Sequence, residues 1–355
     1  MKTKFDSYCI NGIAEGCKYC VKGKKLVLFI TGICSRNCWY CSLSKKRKNC
    51  KDIYANERLV KNFDDILEEV KESRATSAGI TGGDPLINFE KTIEFATKLK
   101  KHFGKKFHIH IYLPTKFVTN GNHQRVLHSS CNPTGSRSSS NLEKLSKCVD
   151  EVRFHPDFLI DSKKVNEDFE KIKLASLFWK KKNIGIELPM IPEKKEEVLN
   201  FILKMEKFVS FVNLNEFELS ETNFNLMTKK YKLNEGGYVV AGSLEAGEWI
   251  LDELKKNKSK LKMHLCTAEL KNCSQFANRL KLHKILPYGK KTKDGTVIYL
   301  IVNKKLNLKN TFYDEKKNRT ILSGKIAKRL LNKEKIFRVE EYPTYDRIEV
   351  EKEEL

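Results

Sequence analysis

Six short apolar runs recur between residues 26 and 217: Leu26–Ile30, Ser77–Ile80, Phe107–Tyr112, Glu151–Phe154, Ile184–Leu188 and Phe211–Leu214. Each is too short for a helix, and most have Gly, Pro, Asn or Asp close by, as buried strands do. The segments between them carry apolar residues at helical spacing. Phe63–Lys71 places Phe63, Ile66, Leu67 and Val70 on one face, and Phe89–Leu99 does the same with Phe89, Ile93, Ala96 and Leu99. Phe169–Phe178 and Val198–Phe208 read alike. Strands that alternate with helical segments predict an α/β fold of parallel strands and crossover helices. A chain of 355 residues has room for one such domain with appendages.

Sheets of this kind place their chemistry at the carboxyl ends of the strands. The unusual clusters of this sequence fall there: Cys34-Ser-Arg-Asn-Cys38-Trp-Tyr-Cys41, Thr81-Gly-Gly-Asp-Pro85, Phe154-His-Pro-Asp157, Glu187-Leu-Pro189 and Asn213-Leu-Asn-Glu216. The first is the most specific. Three thiolates within eight residues can wrap one corner of an iron–sulfur cluster. A complete cubane takes four thiolates, so three leave one iron open to another ligand. A zinc site prefers paired CxxC motifs or histidines and closes with four ligands. The start, Met1 to Asp6, lacks the apolar stretch of a signal peptide, and no run of about 18 apolar residues exists. The expectation is a cytoplasmic protein with no membrane span, in which 11 cysteines serve metal ligation rather than disulfides.

These motifs resemble the radical S-adenosylmethionine (SAM) superfamily: Cys-x3-Cys-x2-Cys after the first strand, Tyr40 before the third cysteine, and Gly-Gly-Asp-Pro at the second strand. The resemblance implies a partial (β/α)6 TIM-like barrel, with a [4Fe–4S] cluster on Cys34, Cys38 and Cys41 and SAM chelated to the open iron. It also implies one-electron cleavage of SAM to methionine and a hydrogen-abstracting 5′-deoxyadenosyl radical, with an electron donor of the flavodoxin or ferredoxin type. The cofactor carries such chemistry and the protein orients it. Residue by residue, Gly82, Gly83, Asp84 and Pro85 match the usual Gly-Gly-Glu-Pro, whose backbone receives the SAM amino group, with Asp in place of Glu. Tyr40 is placed beside the adenine. His155, Glu187, Asn213, Asn215 and Glu216 are candidates to line the pocket, although His155 reads equally as a hydrogen-bonded structural histidine. A narrower similarity rests on Asn56-Glu57, Val152-Arg-Phe-His-Pro156 and Asn213-Leu-Asn-Glu-Phe-Glu218. It is to an archaeal group described as related to the pyruvate formate-lyase activating enzyme.

A second constellation comprises Cys17-Lys-Tyr-Cys20, Cys9 upstream, and His264-Leu-Cys266 far downstream. Cys17, Cys20 and Cys266, completed by Cys9 or His264, form a candidate second site. Four such ligands suit zinc, and four thiolates suit an auxiliary [4Fe–4S] cluster. The alternative is buried free cysteines, which behave as small hydrophobes. Cys50, Cys148 and Cys273 are read that way.

The expected organisation is an N-terminal cysteine segment (1–25), the barrel (26–285) and a small α+β appendage (286–355). Residues 119–140, rich in Ser, Asn, Gly and His, read as a long loop, either a lid or a surface insertion, with Cys131 a free thiol. In the appendage, Thr296–Val302, Ile336–Tyr342 and Arg347–Val350 read as strands. Ile321–Leu331 reads as a helix, and Glu349 to Leu355 as a solvated acidic tail. The formal charge of +23 makes RNA a candidate partner, with a solvated lysine-rich surface as the plainer reading. Arg279, Lys281 and Lys284, on the segment Gln275–Lys284, are candidates for phosphate contacts. Three readings of the substrate stand at this point: RNA, as in tRNA modification; a protein, as for a glycyl-radical activase; or none, in a metal-binding module that interacts with RNA.

Overall fold

A computed structural model describes residues 1–116 and 141–355, so the expected loop at 119–140, with Cys131, lies outside the described residues. The first sheet contains β1 (Tyr8–Ile10), β2 (Lys25–Phe29), the hairpin β3 (Ile53–Ala55) and β4 (Arg58–Val60), β5 (Ser77–Thr81) and β6 (His108–Pro114). It continues with β7 (Glu151–His155), β8 (Ile184–Met190), β9 (Phe211–Glu216) and β10 (Lys262–Cys266). The spatial order is β1-β10-β9-β8-β7-β6-β5-β2-β3-β4. The strands from β2 through β5 to β10 run parallel. The sheet ends in β1 and β4 instead of closing on itself, which makes it a partial barrel.

All six apolar runs are strands, and β10 adds a seventh parallel one. The sequence Lys262-Met-His-Leu-Cys266 hides it by alternation. Met263 and Leu265 are fully buried in the main core, while His264 and Cys266 take the opposite face, toward the barrel interior. The crossovers include α2 (Phe63–Ser73), α3 (Phe89–Phe103), α4 (Asn141–Ser146), α5 (Val165–Leu174) and α6 (Lys195–Met205), with α7 (Phe224–Lys230) and α8 (Ser243–Lys256) between β9 and β10. Helix α2 shows why these segments start where they do. The Asn62 side chain accepts from Asp64 N at 2.9 Å, and Asp65 Oδ2 accepts from Asn62 N at 3.0 Å, a reciprocal capping box.

Residues 1–25, expected as a separate cysteine segment, are built into the barrel. Strand β1 pairs antiparallel with β10, setting Cys9 opposite His264. Helix α1 (Glu15–Cys20) enters the barrel at the amino ends of the strands. Gly16 N donates to Glu151 Oε2 at 3.1 Å, and Tyr19 stacks on His108 at 5.5 Å. A Cβ at Gly16 would lie 2.6 Å from His110 Nδ1 and 2.8 Å from Arg153 Nη2, so this close approach requires glycine.

The second sheet is antiparallel, in the order β13-β14-β12-β15-β16 with β11 beside β12. Its strands are β11 (Lys290–Lys291), β12 (Val297–Val302), β13 (Thr311–Asp314), β14 (Arg319–Leu322), β15 (Phe337–Glu341) and β16 (Glu349–Glu354). Helix α9 (Ala277–Leu282) precedes this sheet, and α10 (Gly324–Leu330) packs on one of its faces. Two expectations are corrected here. Ile321 and Leu322 belong to β14 and not to a helix, because their side chains fill the sheet's two apolar layers. The acidic tail is an edge strand, because cations neutralise it. Arg338 pairs with Glu351 at 2.8 Å, and the buried Arg319 reaches Glu349 at 3.1 Å. Among the described residues no helix is long and apolar enough to cross a membrane.

Candidate active site

The three-cysteine loop follows β2 and has no regular structure of its own, so side chains from elsewhere hold it. Arg36, inside the Cys34–Cys38 spacer, spans to the carboxyl end of β7. Its Nη1 donates to His155 O and its Nη2 to Pro156 O, both at 2.9 Å, and it pairs with Asp157 at 2.5 Å. From the far side, Thr222 Oγ1 donates to Leu43 O at 2.6 Å and Asn223 Nδ2 to Tyr40 O at 3.4 Å. Burial pushes the Cys34 and Cys38 thiols up, so a metal must displace their protons to bind.

The donor set fits a cluster better than a single ion. Zinc–thiolate bonds of about 2.3 Å bring all sulfurs within about 4.6 Å of one another. Among the described residues, the one group of three His, Cys, Asp or Glu ligand atoms all within 4.8 Å is Glu69, Glu72 and His283. Arg58 already occupies that group, 3.3 Å from Glu69 and 2.5 Å from Glu72. Cys34, Cys38 and Cys41 supply three thiolates from one loop, the number that leaves one iron of a cubane open, whereas a closed zinc site takes four ligands.

Beside the loop, the segment after β5 forms a shelf. Gly83 N donates to Thr31 O at 2.7 Å and Asp84 N to Ile33 O at 3.0 Å. A Cβ at Gly83 would lie 2.4 Å from Ile33 O. With these N–H groups directed at the cysteine loop, the carbonyls of the same two peptide units, those of Gly82 and Gly83, turn away from it, and both glycines line the cavity. Asp84 and Pro85 do not line the cavity, contrary to expectation. Pro85 opens a short turn (Pro85–Asn88), and the fully buried Asp84 caps it by accepting from Leu86 N at 2.9 Å. Among the described residues the second carboxylate oxygen of Asp84 has no hydrogen-bond partner, and burial pushes its pKa up to about 6.

That shift has a sign that can be measured. A native pKa above the unfolded value makes Asp84 a stabilising proton binder at low pH, and this contribution is lost as pH rises from about 4 through 6. Asp84→Asn keeps the accepting oxygen and removes the charge. In urea titrations of the metal-free protein it is expected to equal wild type near pH 4 and exceed it above pH 6. Asp84→Ala should fall below Asp84→Asn at every pH, by about 1 kcal/mol for the lost cap.

Below the loop and shelf lies a cavity of about 680 Å³ lined by Cys34, Cys38 and Cys41, Gly82 and Gly83, and Tyr40, His155, Glu187, Asn215 and Glu216. His155 Nδ1 lies 3.0 Å from Glu187 O, which makes that nitrogen the donor. Nε2, 3.0 Å from the Tyr40 hydroxyl, then accepts from it. Burial, with Arg36 adding to it, lowers His155 to about 3 and keeps it neutral. The Tyr40 ring is buried at the junction of the loop and β7. Glu216 accepts from Ala268 N at 2.8 Å.

Glu187 is the hub of the floor. Its oxygens take Arg153 Nη1 at 3.1 Å, Asn213 Nδ2 at 2.8 Å and Asn215 Nδ2 at 2.9 Å. Asn213 is thus a buried support under Glu187 and not a wall of the cavity. Sequence reading assigned no role to Arg36, Thr222 or Arg153. A signal for Arg153 existed: Glu151, Arg153 and His155 alternate with Val152 and Phe154, a polar face on a buried strand.

The remaining candidates sort as follows. Cys17, Cys20 and Cys266 lie within electrostatic reach of one another in the lower barrel. Burial pushes the Cys17 thiol up to about 11. His264 Nε2 is held by Ser7 Oγ at 3.0 Å, and Cys9 stands opposite His264 on β1. Of the cysteines read as buried, only Cys148 is; Cys50 is half-buried and Cys273 exposed, on a π-helical stretch, Leu270–Phe276, whose wider turn displaces its outer face toward solvent. Of the basic residues considered for phosphate contacts, Lys281 and Lys284 are exposed and Arg279 is not. Arg279 is inward, paired with Glu57 at 2.5 Å, because its helix packs over the open seam of the barrel.

A partial parallel barrel with a three-cysteine loop after its first parallel strand and a glycine shelf after its second defines a radical SAM enzyme. Residues 28–205 match the Radical SAM superfamily model, and the chain belongs to that superfamily. Over 296 residues, 81% of this chain and 72% of the relative, it is 35% identical to a Methanocaldococcus jannaschii protein named "Putative glycyl-radical enzyme activating enzyme MJ0021". A solved structure of a hexahistidine-tagged protein, described as anSMEcpe with bound AdoMet, aligns over 78% of this chain and 70% of that one. Its 16% identity and TM-score of 0.36 are too low to bear on fold or site.

Proposed function

We propose that this radical SAM enzyme acts on a protein, abstracting a hydrogen atom from a backbone carbon in the manner of a glycyl-radical activase. When bound, the cluster and SAM supply the 5′-deoxyadenosyl radical; Cys34, Cys38 and Cys41 would hold the one, and the Gly82–Gly83 carbonyls the amino group of the other. The observation that carries the reading is the saturated floor of the chamber. Glu187 spends both oxygens on Arg153, Asn213 and Asn215, and His155 is neutral with both nitrogens bonded. At Glu187 and His155 the hydrogen-bonding capacity of the floor is thus already committed, and Glu216 on the same chamber wall is tied to Ala268 N. This arrangement suits positioning a peptide backbone while an atom, not a proton, is removed. The name borne by the M. jannaschii relative supports the same reading.

RNA is the second reading, favoured by the +23 charge, although the inward Arg279 removes part of the patch proposed for it. The test uses reduced enzyme, with a flavodoxin or ferredoxin as donor, SAM, and a cell extract grown on glycine deuterated at Cα. Mass spectrometry of the 5′-deoxyadenosine should show deuterium with the protein fraction and none with the RNA fraction. Stimulation by the RNA fraction instead, falling steeply with salt through counterion release, would turn the assignment to RNA.

A further inference from the structure

We propose that the cavity at the open seam of the barrel binds the phosphate group of a phosphate monoester, with Lys25 and Arg47 as its cations. The cavity, of about 270 Å³, lies between β2, the turn of the β3–β4 hairpin and the segment after β10. Four cations line it, Lys25, Arg47, Lys271 and Arg279, against one carboxylate, Glu57. Their charged ends, and not only their stems, meet there. Arg47 feels the charges of Glu57 and Arg279, and Lys25 stands beside the Cys20 thiol, all of them lining residues.

Two of the four charges are matched by carboxylates. Arg279 pairs with Glu57 at 2.5 Å and Lys271 with Glu218 at 2.6 Å. Among the described residues the other two touch only neutral groups. Arg47 donates from Nη2 to Asn56 O at 2.7 Å, and its Cζ lies 4.7 and 5.1 Å from the ring centroids of Tyr54 and Phe29. Lys25 has the Cys20 thiol and the Tyr112 ring, 6.0 Å from its ammonium. Half-buried cations that lack a counter-charge draw anions to the cavity they line. The surplus is two charges. A phosphate monoester brings about 1.5 to 2 negative charges at pH 7, whereas a carboxylate or a phosphodiester brings a single one.

Arg47 is set in place for such a ligand. A guanidinium is a planar fork whose N–H groups match phosphate oxygens in pairs. Stacking and the bond to Asn56 O fix its plane, and Asn56 is itself locked, accepting from Val27 N at 3.0 Å and donating to Glu69 at 2.8 Å. The remaining donors of Arg47 have no acceptor among the described residues and are left for a ligand. On the opposite wall, Lys271 and Phe276 belong to the π-helical stretch Leu270–Phe276, a rare turn that recurs at functional sites. Lys271 lines this cavity and the chamber alike, so a phosphate ester bound at the seam lies against the edge of the chamber.

The test is calorimetric titration of the reconstituted full chain with inorganic phosphate, in chloride buffer at constant ionic strength. Wild type should bind one phosphate saturably. Lys25→Gln and Arg47→Gln should each raise the Kd about tenfold or more, and Arg47→Lys, which keeps the charge and loses the fork, by less than Arg47→Gln. Lys281→Gln, an exposed change outside the cavity, should leave the Kd as it is. Circular dichroism establishes that the variants fold. Wild type alone supplies a second reading, in which methyl phosphate should displace phosphate and dimethyl phosphate should not. No saturable binding, or a Kd that folded Lys25→Gln and Arg47→Gln leave unchanged, overturns the proposal. Dimethyl phosphate binding as tightly as methyl phosphate overturns it too, and points to a nucleic-acid backbone. None of these readings requires the substrate, so failure here is distinguishable from failure of the protein-substrate reading.

Discussion

Replacing Cys34, Cys38 or Cys41 singly with Ala is expected to abolish 5′-deoxyadenosine formation and to remove about four irons per chain. The loss should be complete and not graded, because the loop offers three thiolates and no reserve. The other cysteine in the vicinity, Cys50, has its thiol directed at Asp52 O, 3.8 Å away. The loop itself should survive each change, since Arg36, Thr222 and Asn223 hold its backbone independently of the sulfurs. Unfolding midpoints of the metal-free variants should therefore match wild type while product formation, followed by chromatography under reducing conditions, falls to background. Retained cleavage of SAM in any one of the three variants would remove that cysteine from the ligand set.

The second large effect is expected at Glu187. Arg153 is buried between Glu151 and Glu187. Glu187→Ala leaves its guanidinium with one carboxylate and strands the amides of Asn213 and Asn215. Breaking a buried pair by deleting one partner costs about 3–5 kcal/mol. The urea midpoint of the metal-free protein should fall accordingly. Glu187→Gln, which keeps the shape and one acceptor, should lose less stability. A Glu187→Ala midpoint within experimental error of wild type would mean that water replaces the carboxylate and that the floor is not preorganised.

The sequence carried most of the fold because the buried strands are apolar runs and the crossover helices are amphipathic. It failed where inward faces are polar. Strand β10 escaped because His264 and Cys266 interrupt its apolar rhythm, and α1 because six residues are too few for helical periodicity to register. The acidic strand β16 read as a tail because its partners, Arg338 and Arg319, are brought to it only by the fold. In the site, the clustering of Cys34, Cys38, Cys41, Gly82 and Gly83 around one cavity was legible because their types and spacing follow from local chemistry. Arg36 and Thr222 were not, since each acts across the barrel on a partner remote in sequence. Asp84 was misplaced for the opposite reason. Its role is local, a turn cap, and the motif in which it stands drew attention to a ligand.

The pairing of β1 with β10 also sets an order of assembly. Ser7 meets His264 across 257 residues, so during synthesis the N-terminal strand waits for nearly three-quarters of the chain before its partner exists. Loop closure over such a span is slow relative to local pairing. Earlier still, until residue 223 has been made and has folded against the cysteine loop, Thr222 and Asn223 cannot clamp it. Iron delivered to a nascent chain would meet unpositioned thiols that oxygen can reach. Efficient maturation should therefore be post-translational, with metal loaded into a barrel whose two ends have already joined.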